Sequence, residues 1–226
     1  MVDKSKHPEL YVETPNSSSL SSEEQAAVDQ IMKDQPSISD NLRLTSLCGS
    51  PSEGSFFTSL EFQRPNFVIS DIFVEIAEGS LAFLSCKYTN GLVLTRGGSR
   101  GGVQVALRDF SPKEGVISCT IETGRVVGSS QDRVTAIRLH TNRGRSLVAQ
   151  APDYMKAGPK KQAYRGGVSY ENLILTDFDP PMGGATLRGF WGRSRDVEKG
   201  IAAGGIWRLG ALWGDLEEVN PCSFYS

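Results

Sequence analysis

The chain has 226 residues, 38% of them hydrophobic and 22% charged, which suits one globular domain with a sizeable core plus an additional segment. A formal net charge of −2 supplies no broad field to attract nucleic acid or an acidic membrane surface. No apolar run approaches the ~18 residues of a membrane span, and Met1-Val2-Asp3-Lys4-Ser5-Lys6-His7 carries no apolar signal core, so a soluble, cytoplasmic protein without a nucleic-acid partner is expected.

Residues 1–44 read as an N-terminal extension. Ser17, Ser18, Ser19, Ser21 and Ser22 crowd a polar stretch with little β character. A short helix is predicted near 21–34: Ser21 and Glu24 have capping-box spacing, Val28, Ile31 and Met32 share one face, and Pro36 follows the end. That apolar stripe packs either on its own domain or on a partner, and the sequence leaves both open.

From about Phe56 the period becomes alternating. Ile69, Ile72, Val74 and Ile76 form one strand-like run, and Leu81 to Tyr88 leads into Thr89-Asn90-Gly91, where Asn-Gly predicts a hairpin with two positive-φ residues. Val103 to Leu107, Val116 to Ile121, Val134 to Leu139, Leu173 to Leu175 and Ile206 to Trp213 continue the pattern, so residues 45–226 read as an all-β domain. Cys48, Cys86, Cys119 and Cys222 are widely scattered along it and read as buried thiols. With no C-x-x-C pair and only His7 and His140 as histidines, neither metal nor cofactor is expected.

The chain also echoes itself. Asp109-Phe110-x-Pro112, with Gly124-Arg125 beyond, matches Asp177-Phe178-x-Pro180, with Gly192-Arg193 beyond; Arg100-Gly101-Gly102-Val103 matches Arg165-Gly166-Gly167-Val168; and Tyr88-Thr89-Asn90 matches His140-Thr141-Asn142. A repeated strand-turn-strand unit cannot bury its apolar face alone, so the units must assemble around a shared interior.

The ordered series Ile72 to Gly91, Gly97-Gly98, Glu114 to Ile117, Leu139-His140-Thr141-Asn142-Arg143-Gly144-Arg145-Ser146 and Gly189-Phe190-Trp191-Gly192-Arg193-Ser194 resembles a jacalin-type lectin domain over about residues 45–216. The resemblance implies a β-prism of three four-stranded Greek-key sheets with pseudo-three-fold symmetry. It also implies a sugar site between an N-terminal Gly-Gly loop and the loop joining the last two strands, and, by analogy, a homo-oligomer. The chain departs from the family at both halves of that site. Trp207 stands where an aspartate usually accepts sugar hydroxyls, the last loop is longer and more charged, and the N-terminal counterpart near Gly49 to Ser55 lacks the doubled glycine.

Non-catalytic binding of a carbohydrate or glycoconjugate is therefore the expected function, with Gly54, Ser55, Trp191, Arg193, Arg195, Asp196, Glu198 and Trp207 as the ligand-binding set. Asp196 would accept hydroxyls, Arg195 would donate, and an indole would stack; Arg193, Arg195 and Lys199 together would instead select an anion. The plain alternative makes the tryptophans core residues and the charges a solvated loop. Two other functional classes stay open: a small-molecule binder or enzyme with residues 152–165 as a lid, and an interaction module using the N-terminal helix. Gly97-Gly98-Ser99-Arg100-Gly101 fits G-x-S-x-G, but a nucleophile elbow needs a strand before it and a helix after it, and strands are expected on both sides. Asp177 and Asp179 would share a strand face only if the strand continued past Phe178.

Overall fold

The computed structural model describes residues 21–34, 42–51, 54–59, 68–154, 163–180, 183–195 and 205–215. Helix α1 (Ser22–Asp34) is followed by the short strands β1 (Arg43–Leu44), β2 (Cys48–Gly49) and β3 (Ser55–Thr58). The helix starts where its cap predicts: Ser21 N donates to Glu24 Oε2 at 2.9 Å, and Glu24 N donates to Ser21 Oγ at 3.3 Å.

Three antiparallel sheets then account for the described strands. In the first, β4 (Ile69–Ala77) and β5 (Ser80–Tyr88) form a central hairpin, with β6 (Val93–Gly97) beside β5 and β7 (Val103–Leu107) returning beside β4. The second repeats this with β8 (Val116–Val126), β9 (Asp132–Thr141), β10 (Ser146–Gln150) and β13 (Val168–Phe178), extended past β13 by β12 (Ala163–Arg165) and β11 (Asp153–Tyr154). The third is built on β14 (Ala185–Arg195) and β15 (Gly205–Asp215), closed by N-terminal strands: β3 pairs with β14, while β1 and β2 pair with successive stretches of β15 and share one edge. Each sheet thus has a four-strand Greek-key frame, and the whole is a β-prism.

The pseudo-three-fold relation is written in the register. Each central hairpin carries two irregularities, at Ile69/Asp71 and Glu75/Ile76, at Val116/Ser118 and Glu122/Thr123, and at Leu187/Gly189 and Arg193/Ser194. These positions are related by constant shifts, 116 − 69 = 122 − 75 = 47 and 187 − 116 = 193 − 122 = 71. The sequence echo at a spacing of 68 is therefore three residues out of structural register. Its first Asp-Phe copy lies beyond β7 and its second lies inside β13.

Alternation decides which side chains enter the core. Ile72, Val74 and Ile76 of β4 join Cys119, Ile121, Leu139, Phe190, Leu209, Ala211 and Trp213 in one interior cluster. The third sheet is buried on both faces. Its outer residues Trp191 and Leu212 form a second cluster with Leu47 and Val28, the latter from α1, so the helix covers its own domain. Side chains of Ile31 and Met32 lie outside the described set.

Turn chemistry departs from expectation at one point. Asn90-Gly91 does join β5 to β6, but only Gly91 has positive φ (84°), and Tyr88 N donates to Leu92 O, closing a three-residue loop. Asn142-Arg143-Gly144 makes the same loop in the second sheet, with Gly144 at φ 77° and Thr141 N donating to Arg145 O. Two consecutive positive-φ residues occur instead at Glu78 (49°) and Gly79 (76°), between paired Ala77 and Ser80. Among the described residues no helix is long and apolar enough to cross a membrane.

Candidate functional site

The β4–β5 turn, the β8–β9 turn and the paired Arg195 and Gly205 lie at one end of the prism, because the three central hairpins are symmetry-related. The N-terminal loop reaches the same end. Ser55 pairs with Ser194, Arg193 Nη1 donates to the Gly54 carbonyl at 3.0 Å, and a Cβ on Gly54 (φ 78°) would stand 2.7 Å from Ser194 O. The Gly54-Ser55 segment is thus brought against the end of β14, where Arg195 is exposed and pairs with Gly205. Asp196 and Glu198 lie outside the described residues.

Trp191 does not face that junction, and Arg193 braces it from beneath rather than presenting a free guanidinium. Trp191 is buried beneath α1, edge-on to Phe56 with ring centroids 6.5 Å apart, so its ring is withdrawn from any ligand. Arg193 is ion-paired through Nε to Glu24 Oε1 (2.9 Å) and through Nη2 to Glu23 Oε2 (2.6 Å). Burial lowers the Arg193 pKa, but the two glutamates more than offset this and raise it, so the guanidinium is held charged.

Symmetry sets Arg193 apart from its counterparts. Its equivalents in the other two sheets are Glu75 and Glu122, both fully buried. Glu75 accepts hydrogen bonds from Ser99 Oγ (2.6 Å), Arg100 N (2.5 Å), Gly102 N (3.2 Å) and Gln104 Nε2 (2.9 Å), which tie down the β6–β7 loop. Burial acts to raise its pKa, yet these donors bring it down to about 2. Glu122 accepts from Thr135 Oγ1 at 2.8 Å. The third sheet has the opposite charge at this position, and α1 supplies the missing carboxylate. Glu24 therefore has a role that the capping-box spacing alone could not reveal.

Trp207 is the extra residue of its bulge, equivalent to Ala82 and Thr135, and is 8% exposed. The Arg133 guanidinium carbon lies 4.9 Å from the centroid of its ring. Both line a cleft of about 60 Å³ with Glu78, Ser80, Leu81 and Arg100. A larger cleft of about 420 Å³ shares Glu78 and Arg100 with it, and is floored by Gly79, Gly101, Gly102 and Gly166. Arg100 Nη1 and Glu78 Oε2 are 2.8 Å apart where the two meet. Sequence reasoning missed Arg133, Arg100 and Glu78, whose proximity to Trp207 depends on bringing three sheets together.

The enzyme-like signals separate in space. Ser99 sits at this end and donates to Glu75, whereas His140 sits near the far end of β9, its Nδ1 2.8 Å from Ser146 Oγ. Strand β13 ends at Phe178, so Asp177 and Asp179 share no continuous strand face; Asp177 accepts from Thr120 Oγ1 at 2.7 Å. Of residues 152–165, 155–162 lie outside the described set, and so does the lid expectation resting on them.

The fold is that of the jacalin-related lectins. A mannose-binding jacalin-related lectin from Ananas comosus superposes with TM-score 0.50 at 18% identity, over 78% of this chain and 99% of that one. Artocarpin, solved in complex with mannotriose, gives 0.50 at 16% identity over the same shares. A lamprey immune protein gives 0.53 at 16% identity over 78% of this chain, which spans 45% of that protein. No protein-family model and no curated protein matches the sequence.

Proposed function

We propose that the protein is a non-catalytic carbohydrate-binding protein whose ligand sits at the hairpin end of the prism, between the Gly54-Ser55 segment and the loop that follows Arg195. The observation carrying this reading is the junction of the Gly54-Ser55 segment with the end of β14, with Ser55 paired to Ser194 and Arg193 bonded to the Gly54 carbonyl. It offers small residues, backbone groups and an exposed guanidinium, the donor-rich surface that sugar hydroxyls require. Asp196 and Glu198 are the proposed acceptors, and Trp207 the apolar wall. The neighbouring folds include lectins described as mannose-binding, which agrees with this class of ligand.

A glycan array spanning neutral and acidic sugars tests it. Saturable binding that disappears in Asp196→Ala is expected. Silence across the array would sink the reading.

A further inference from the structure

Among the described residues, the cleft beside Trp207 has two guanidinium groups, Arg100 and Arg133, against one carboxylate, Glu78. Arg133 has neither a carboxylate nor another hydrogen-bond acceptor among the described residues; its one recorded partner is the face of Trp207. The buried Nε of Arg133 and Nε1 of Trp207 find no acceptor among the described residues, although Trp207 is more than nine-tenths buried. Arg100 is balanced by Glu78, whose side chain is 67% exposed, so among the described residues the wall carries one positive charge, Arg133, with no carboxylate against it. An indole lying against the guanidinium limits its motion and presents the planar fork in a fixed plane.

The space fits a sugar ring. The neighbouring cleft of about 420 Å³ lies within the ~300–1,000 Å³ span of small-molecule sites. A Cβ on Gly101 would meet open space, whereas Gly102 and Gly166 let backbone pack closely against Ile76 and Gly79, and the Glu78–Arg100 pair is common to this cleft and the one that Arg133 lines. Arg133 lines the smaller cleft, so a ring in the larger one would have to extend its oxyanion substituent past the shared Glu78–Arg100 pair to reach it.

We infer that this cleft recognises a pyranose carrying one oxyanion, carboxylate or sulfate, with Arg133, stacked on Trp207, as the residue that selects the charge. The inference deepens the carbohydrate reading above and rests on it. Glu78 acts in the opposite sense, since its carboxylate repels the same oxyanion.

Calorimetric titration of the full chain with methyl α-mannoside, methyl glucuronide, glucose 6-sulfate and sodium sulfate tests it. One or both charged sugars should bind at least about tenfold more tightly than the neutral sugar, and the preference should weaken with added salt. Whether glucuronide or sulfate ester responds identifies the oxyanion. Arg133→Gln should abolish the preference while thermal unfolding stays cooperative, and Arg133→Lys should restore only part of it. Should Arg133→Gln fail to fold, Glu78→Gln provides the second arm, with charged-sugar affinity expected to rise severalfold. Equal affinity for neutral and charged sugars, or no rise in Glu78→Gln, overturns the inference and leaves the carbohydrate reading standing. Sodium sulfate binding as tightly as the sulfated sugar also overturns it, as an ion site without sugar recognition. No binding of any sugar overturns both.

Discussion

Glu24 Oε2 lies 2.6 Å from Arg208 Nη1, with side-chain exposures of 0% and 1%, joining the N-terminal helix to the last strand of the prism. The same carboxylate reaches Arg193 at 2.9 Å and receives the Ser21 backbone N–H at 2.9 Å. Breaking one member of a buried charged network leaves the others uncompensated, which costs about 3–5 kcal/mol. Glu24→Ala should therefore lower the free energy of unfolding by that amount in urea titration, against less than about 1 kcal/mol for Glu23→Ala, whose carboxylate is 72% exposed. Equal effects would show that the helix is not locked through Glu24.

Acid should unfold the prism through its buried glutamates. Burial raises the pKa of Glu75 and Glu114, but the hydrogen bonds to Glu75, and the Arg145 and Ser111 contacts to Glu114, bring each from 4.5 to about 2. Because the folded-state values are depressed, their stabilisation is complete above about pH 4.5 and is lost as pH falls toward 2. Each contributes roughly 3 kcal/mol by this linkage. Denaturant titrations across that window should show a steep loss of stability, and Glu75→Gln should flatten the curve.

Gly49 and Gly97 occupy corresponding edge positions, and on either a Cβ would collide with a carbonyl oxygen, of Trp207 and Ala82 respectively. Gly91 also has positive φ but faces open space. Gly91→Ala should cost about 1 kcal/mol, from backbone strain alone, and Gly97→Ala roughly 2–5 kcal/mol, from strain plus displacement of β5. Matching losses would mean that φ alone restricts these sites.

Burial pushes the Cys86 thiol up to about 12, and burial together with Cys48 and Asp177 pushes Cys119 higher still. Reaction requires the thiolate. Brief alkylation of the native protein at pH 8, read by peptide mass spectrometry, should leave both unmodified, and denaturant should expose them. Modification of Cys86 in the folded state would contradict its enclosure.

The β-prism was legible in the chain because alternating side chains report which face of a strand is buried, and the Gly-Phe-Trp-Gly-Arg-Ser and Thr-Asn-Arg-Gly-Arg blocks come in family order. Helix α1 was legible for a local reason as well, since Ser21 and Glu24 satisfy each other across one turn. The echo at a spacing of 68 was legible as text yet structurally out of register, because β-bulges, which alignment of letters ignores, decide equivalence.

Destination was not local. Arg193 reads as a ligand donor until the fold places Glu24 against it, and Trp191 reads as a stacking platform until α1 covers it. Arg133 carries no motif and gains meaning only beside Trp207, 74 residues away along the chain (207 − 133) and on another sheet. Periodicity and capping depend on neighbours within a few residues, so the sequence by itself determined the strands, the helix start and the fold class. Charge pairing, burial of the third sheet's outer face and the shape of the end cleft depend on contacts between distant segments, and those only the tertiary structure decided.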